Sequence, residues 1–323
     1  MDPMDRLDPE LVEPLKGLLE ATGGGFNLRD IAATRAAVEG MLQGILSEAP
    51  PTPDITIEDL DIPGGDAGAD VAVRLYRPQQ STGPIPVLLW MHPGGFVIGS
   101  IAMDELSSRA LAAHLGCAVV SVNYRLAPEH PFPAAVEDAY SALQWIDSNA
   151  DELGFDAERI VVGGASAGGG IAAGVCLLTR DRKGPKPILQ WLFYPALDNL
   201  NVEPASESVP DNLFWTRENS IIGWSAYLNG NTRGADTPIY AAPARARDLG
   251  GLPDAFIGVG TADMLMEENV DYAERLAAAG ATVDLKVYPG AFHAFDAFAP
   301  MTRVSQRFIA DRNSALQQAI RGD

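Results

Sequence analysis

Arg159-Ile160-Val161-Val162-Gly163-Gly164-Ala165-Ser166-Ala167-Gly168-Gly169-Gly170-Ile171-Ala172-Ala173-Gly174-Val175 is the stretch whose reading decides the fold. Its first five residues are an apolar run of strand length. From Gly169 onward the small and apolar residues predict a helix. Between the two, Gly164-Ala165-Ser166-Ala167-Gly168 has the pattern Gly-x-Ser-x-Gly. The pentapeptide alone is a weak signal, and the strand before it and helix after it carry the reading. Together they describe a nucleophile elbow, a turn too tight for Cβ atoms at its flanks. Glycine removes that clash, and the serine is left in strained backbone with its hydroxyl directed out of the sheet.

Working outward, apolar runs of strand length at 86–91, 117–122, 159–163, 188–193, 255–260 and 283–288 alternate with helical segments near 104–115, 134–149, 168–180, 267–279 and 302–320. Near-continuous apolar strands with helical crossovers predict a parallel sheet covered on both faces. Two more strands precede them. Ile55 to Ile62 alternates as an edge strand does, and Asp70 to Tyr76 follows the turn Pro63-Gly64-Gly65-Asp66. The count is eight. Before the strands, 9–21 and 28–46 have helical periodicity, separated by Gly23-Gly24-Gly25 and stopped by Ala49-Pro50-Pro51-Thr52-Pro53. The rhythm breaks over 200–250, which is rich in turns and aromatics. The expected organisation is an N-terminal pair of cap helices over 1–50, an α/β core over 51–199 and 231–323, and a cap insertion over 200–230.

Composition narrows the function. The 323 residues include 23 basic and 43 acidic side chains, a formal charge of −20. Nothing in that balance neutralises phosphates at scale, which argues against nucleic acid and against anionic membranes. No apolar stretch approaches the ~18 residues of a membrane span. The acidic N-terminus, Met1 to Glu10, lacks an apolar signal region. Cys117 and Cys176, each in an apolar context, read as core thiols rather than a disulfide. A cytoplasmic setting is expected. The histidines and cysteines lack metal-ligand spacing, and no dinucleotide or phosphate fingerprint is present, so no metal and no cofactor are expected.

A serine hydroxyl is a poor nucleophile until a base takes its proton, and that base is a histidine oriented by a carboxylate. The chain has four histidines. His92 and His130 precede the elbow in loops, and His114 falls on a predicted helix. His293, in Pro289-Gly290-Ala291-Phe292-His293-Ala294-Phe295, follows the last strand. Loops at the carboxyl ends of strands share one rim in such a sheet, so His293 is the candidate base. The orienting acid is expected after another strand, at Asp263, with Asp198 as the competitor; the lesser reading of Asp263 is a helix N-cap. An oxyanion needs N–H donors. Gly94 and Gly95, in His92-Pro93-Gly94-Gly95-Phe96 after the strand 86–91, offer two, and Ala167 a third.

These motifs together resemble the hormone-sensitive-lipase-like carboxylesterases, the bacterial family IV esterases of the α/β-hydrolase fold, from about Val87 to Phe295. Asn123-Tyr124-Arg125-Leu126-Ala127-Pro128-Glu129-His130-Pro131-Phe132-Pro133-Ala134-Ala135 is very similar to a structural signature of that family. Asp263-Met264-Leu265-Met266-Glu267-Glu268 is similar to its acid motif, which favours Asp263 over Asp198. Tyr194-Pro195 also fits. The chain order Ser166, Asp263, His293 is that of α/β-hydrolases. Two positions depart from the family. Pro93 stands where the first glycine of His-Gly-Gly-Gly is usual, and Ala165 where Asp or Thr is common before the serine.

The resemblance implies a serine carboxylesterase acting on small esters with short to medium acyl chains through an acyl-enzyme. Phe96, Phe214, Trp215 and Trp224 either line its pocket or pack the cap on the core. The same triad supports amide hydrolysis, with arylamide deacetylation the nearest alternative. A hormone receptor of this fold would lack the histidine, and a dehalogenase or epoxide hydrolase would need aspartate at the elbow. The resemblance also allows a homodimer, through an edge strand or the C-terminal helix.

Overall fold

The structure is a computed structural model that describes residues 3–65, 70–81, 83–200, 213–231 and 236–322. Its centre is one eight-stranded sheet: β1 (Ile55–Ile62), β2 (Val71–Pro78), β3 (Ile85–Met91), β4 (Ala118–Val122), β5 (Phe155–Ala165), β6 (Leu189–Phe193), β7 (Asp254–Gly260) and β8 (Val283–Tyr288). The order is β1-β2-β4-β3-β5-β6-β7-β8. β2 runs antiparallel to both its neighbours, and every pair from β4 to β8 is parallel. This is the α/β-hydrolase arrangement, mostly parallel with helices on both faces.

The strands show why an apolar run without alternation marks a doubly covered sheet. Successive side chains leave a strand on opposite faces. Along β3, Val87, Leu89 and Met91 join one buried cluster while Leu88 and Trp90 join the other. Along β5, Ile160 and Val162 face the first cluster and Val161 and Ala165 the second. Helices Ala134–Ser148 and Ala167–Arg182 cover the first face, and Glu105–Leu115 and Arg303–Arg321 the second. Residues Ala167 to Thr179 are all buried, which accounts for the small side chains of that helix: a helix enclosed on all sides fits close to the sheet only when it carries little volume.

Several boundaries differ from expectation. β5 begins at Phe155, four residues before the expected 159; the polar stretch Asp156-Ala157-Glu158 does not read as a strand, and it falls in a register shift between the pairs Ile85–Phe155 and Val87–Ile160. The segment expected as one helix from Leu28 starts as a 3-10 turn, Leu28–Asp30, capped by Asn27, which accepts from Arg29 N–H; Asp30 then caps the following helix by accepting from Ala33 N–H. The helix proper is Ile31–Glu48. Among the described residues three α-helices escaped the periodicity: Arg217–Tyr227, and the single turns Ala150–Leu153 and Phe295–Phe298. Of the stretch expected as an insertion, 201–212 lies outside the described residues.

The loops that matter leave the carboxyl ends of β3, β5, β6, β7 and β8. Parallel pairing sends those ends to one rim, so residues far apart in sequence meet there. The N-terminal segment reaches the same rim. Asp8 N–H donates to Gly290 O at 3.0 Å, and Asn219 of helix Arg217–Tyr227 accepts from Leu28 N–H (3.2 Å) and donates to Phe26 O (2.8 Å).

Candidate active site

Ser166 stands between β5 and helix Ala167–Arg182 at φ 53° and ψ −119°. A non-glycine residue held there costs about 1–3 kcal/mol. The surroundings hold it: Ser166 N–H donates to Phe193 O (2.9 Å), and its carbonyl accepts from Gly170 (3.1 Å) and Ala196 (2.9 Å). The flanking glycines are required by contact rather than by φ. A Cβ on Gly168 would lie 2.2 Å from Met91 O, and one on Gly164 2.3 Å from Gly168 O. Ala165, where the family often has a polar residue, packs into the apolar cluster with Phe193 and Trp191.

The structure brings Ser166, His293 and Asp263 together. His293 Nε2 is 2.9 Å from Ser166 Oγ, and His293 Nδ1 is 2.7 Å from Asp263 Oδ2. All three are buried, with 5, 6 and 1% of their surfaces exposed. That seclusion strengthens each polar contact. Asp263 does not cap the helix that follows. Its Oδ1 accepts from Leu265 N–H at 2.9 Å, which fixes the carboxylate rotamer and leaves Oδ2 for the imidazole. Asp198, the other candidate acid, is engaged elsewhere, with Leu200 N–H at 3.0 Å and Arg245 at 3.4 Å.

Nor do the other histidines enter. His114 is exposed at the end of its helix and His130 is exposed in its loop. His92 is fully buried, stacks on Tyr124 at 4.2 Å and contacts Pro93 O through Nδ1 at 2.7 Å. Burial lowers its pKa to about 4, so it is neutral at neutral pH.

The turn after β3 carries three successive positive φ values, Gly94 at 133°, Gly95 at 56° and Phe96 at 68°. Gly94 O accepts from Val97 (3.1 Å) and Ile98 (2.9 Å). Among the described residues, no acceptor partners the N–H of Gly94, Gly95 or Ala167. A narrow cavity of about 10 Å³ opens on Ser166, lined by Gly95, Phe96, Ala196, Trp215, Gly223, Trp224 and Leu265 among others. Three of the four aromatics expected there line it. Phe214 does not; it packs between Phe26 (4.7 Å) and Phe298 (4.3 Å), where it joins the N-terminal segment to the His293 loop. Among the described residues no His, Cys, Asp and Glu side chains cluster in a way that could hold a metal ion.

Sequence reasoning missed the support behind His293. Tyr194 packs edge-on to its ring at 4.9 Å and donates its hydroxyl to Asp296 Oδ1 at 2.9 Å. Asp296 in turn pairs with Arg312 at 2.7 Å. The phenol is held well above its usual pKa, by burial first and then by Asp296. Nothing in the local pattern around Asp296 or Arg312 announces this link.

Comparison with known proteins agrees with the geometry. Residues 88–297 match the family model described as alpha/beta hydrolase fold. The chain is 35% identical over 320 residues to the carboxylesterase NlhH of Mycobacterium tuberculosis (strain ATCC 25618 / H37Rv), covering 97% of each protein. It is 31% identical over 299 residues to an arylesterase of Saccharolobus solfataricus, covering 90% of this chain and 92% of that one. Among solved structures, a bacterial heroin esterase superposes with a TM-score of 0.93 at 37% identity over 98% of this chain and 99% of that one. The chain belongs to the α/β-hydrolase family, in its hormone-sensitive-lipase-like branch.

Proposed function

We propose that Ser166, His293 and Asp263 are the nucleophile, base and orienting acid of this enzyme, with the N–H groups of Gly94, Gly95 and Ala167 as its oxyanion donors. The protein is a carboxylesterase, a serine hydrolase. The observation that carries the assignment is the unbroken chain from Ser166 Oγ through both imidazole nitrogens to Asp263. Nδ1–H donates to the carboxylate, so Nε2 is free to accept the serine proton. Ser166 Oγ attacks the ester carbonyl, and the protonated imidazole, stabilised by Asp263, gives its proton to the leaving alcohol. A water deprotonated by His293 then attacks the acyl-enzyme, and the acid leaves. The peptide amides and the positive end of helix Ala167–Arg182 stabilise the oxyanion, each donor contributing about 2.7–4 kcal/mol.

The small cavity beside the serine supports esters with short acyl chains, since Phe96, Trp215 and Trp224 wall it. Helices Pro9–Thr22, Ile31–Glu48 and Arg217–Tyr227 act as the cap over that site. No described helix is long and apolar enough to cross a membrane. The two buried free cysteines are consistent with a cytoplasmic location. A homodimer would use the open edge of β8, where Val287 is exposed; sedimentation velocity tests it. For the triad, Ser166→Ala is expected to lower turnover of a p-nitrophenyl ester by roughly four to six orders of magnitude. A phosphonate ester should label the wild type at Ser166 and leave the variant unlabelled. Near-wild-type turnover by Ser166→Ala would refute the assignment.

A further inference from the structure

The turn Gly94-Gly95-Phe96 is a costly piece of backbone. Glycine tolerates a positive φ, but Phe96 at 68° does not do so freely. Such a conformation persists only when its surroundings over-determine it. Part of the restraint is local: Val97 and Ile98 bond back to Gly94 O, and Ala127 N–H donates to Phe96 O at 3.0 Å. The rest comes from far away in sequence. Arg35, on helix Ile31–Glu48, donates Nε–H to Val97 O at 2.7 Å and Nη2–H to Ala127 O at 2.8 Å. Its two terminal nitrogens also meet both oxygens of Glu129, each at 2.8 Å. The guanidinium beside Glu129 holds that carboxyl down at about 2, so the pair is charged at any working pH.

One planar fork therefore spans three groups on two loops. It caps the Val97 carbonyl at the end of the strained turn, and it ties that turn to the neighbouring loop that also holds Phe96 O. A lysine could reach one of these acceptors but not all three, because the arrangement needs the fixed geometry of guanidinium. Arg35 touches neither Ser166 nor His293, and no residue of its helix lines the cavity beside the serine. Its hydrogen bonds go to Val97 O, Ala127 O and Glu129, and none goes to Gly94 or Gly95.

We infer that Arg35 is a positioning residue for ester hydrolysis: from the N-terminal helix it holds the Gly94–Phe96 turn so that the oxyanion donors stay aimed at the reacting carbonyl. The inference rests on the oxyanion reading above. An aim error of about 1 Å at such a site costs on the order of 10²-fold in rate. Because the donors bind the oxyanion more strongly than the ground-state carbonyl, the loss falls on the transition state.

The experiment uses the full-length enzyme with Arg35→Ala, Arg35→Lys and Glu129→Gln. Rates on p-nitrophenyl acetate are measured beside the affinity for a reversible trifluoromethyl ketone, which forms a tetrahedral adduct on serine, and for the product carboxylate. Arg35→Ala is expected to lower kcat/KM and ketone affinity together, by about tenfold to a hundredfold, while carboxylate affinity stays within about twofold. Arg35→Lys should recover part of the loss. Glu129→Gln, which keeps both carbonyl contacts, should lose less than Arg35→Ala. If Arg35→Ala does not fold, the ordering of the other two against wild type decides. Wild-type ketone affinity in Arg35→Ala or Arg35→Lys, even with a lowered melting temperature, overturns the inference and leaves the triad intact. A wild-type enzyme that neither hydrolyses the ester nor takes a phosphonate at Ser166 overturns this inference together with the reading beneath it.

Discussion

Asp263→Asn probes the site at its most constrained atom. In the native carboxylate both oxygens accept, Oδ1 from Leu265 N–H at 2.9 Å and Oδ2 from His293 Nδ1 at 2.7 Å. Asparagine offers one acceptor and one donor group of nearly the same shape. If its oxygen faces Leu265, its NH₂ faces Nδ1 and forces the proton to Nε2. The imidazole then donates to Ser166 Oγ and cannot take its proton. If the amide is flipped, the NH₂ points at Leu265 N–H inside a site that is 1% exposed, and two buried donors collide. An unsatisfied buried donor costs about 1–3 kcal/mol, so the first arrangement dominates. With the wrong tautomer and no charge behind the imidazolium, turnover should fall about 10⁴-fold, or about 5.4 kcal/mol of barrier. The assay is steady-state hydrolysis of p-nitrophenyl acetate, with Asp198→Asn alongside. Asp198 bonds Leu200 and Arg245 and not the imidazole, so its variant should keep kcat within about threefold. Asp263→Asn retaining a tenth of wild-type kcat, or Asp198→Asn losing as much as Asp263→Asn, would refute the reasoning.

Three further outcomes follow from the same contacts. Gly168→Ala forces a Cβ to within 2.2 Å of Met91 O and 2.5 Å of His92 O, backbone that cannot give way. It should destabilise by about 1–3 kcal/mol or more, whereas Gly44→Ala, in the exposed helix with nothing within 4 Å, should stabilise by about 0.5–1 kcal/mol; paired urea melts check both. His92 is held at about 4 against 6.5 when unfolded, so between those values the unfolded chain binds more protons and stability falls as pH falls. From pH 7 to pH 5 that is about 2 kcal/mol. Asp104, pushed up to about 6 by burial, works in the opposite sense from 3.8 to 6. The measurement is therefore the difference in acid slope between wild type and His92→Gln, and equal slopes would contradict it. Trp215 lies so close over Gly95 that a Cβ there would fall 2.4 Å from its ring. Trp215→Ala should raise the ratio of kcat/KM for hexanoate over acetate esters by at least about tenfold, and an unchanged ratio would exclude it as an acyl-length wall.

How much was legible beforehand depended on the range of the signal. The elbow, the apolar strands and the turn glycines are local in the chain, and local patterns were enough to find them. Phe214 shows the limit. Its neighbours Trp215 and Phe96 do line the cavity, yet Phe214 packs on Phe26 and Phe298, and nothing in the aromatic run separates the two fates. The start of β5 was missed for a related reason: Asp156 and Glu158 are polar because that end of the strand is not enclosed on both faces.

The amino-acid order by itself determined the parallel sheet, the tight turn at Ser166 and the shortlist of partners for it. These follow from hydrophobic periodicity and from which residues tolerate a given backbone shape. Which carboxylate meets the imidazole, where Phe214 points, and that Arg35 and Arg312 reach across the molecule were decided only in three dimensions. Such contacts join residues that are 30 to 127 positions apart within the triad alone. Their existence depends on how the strands stack and where each loop ends, and no pattern confined to one segment records that.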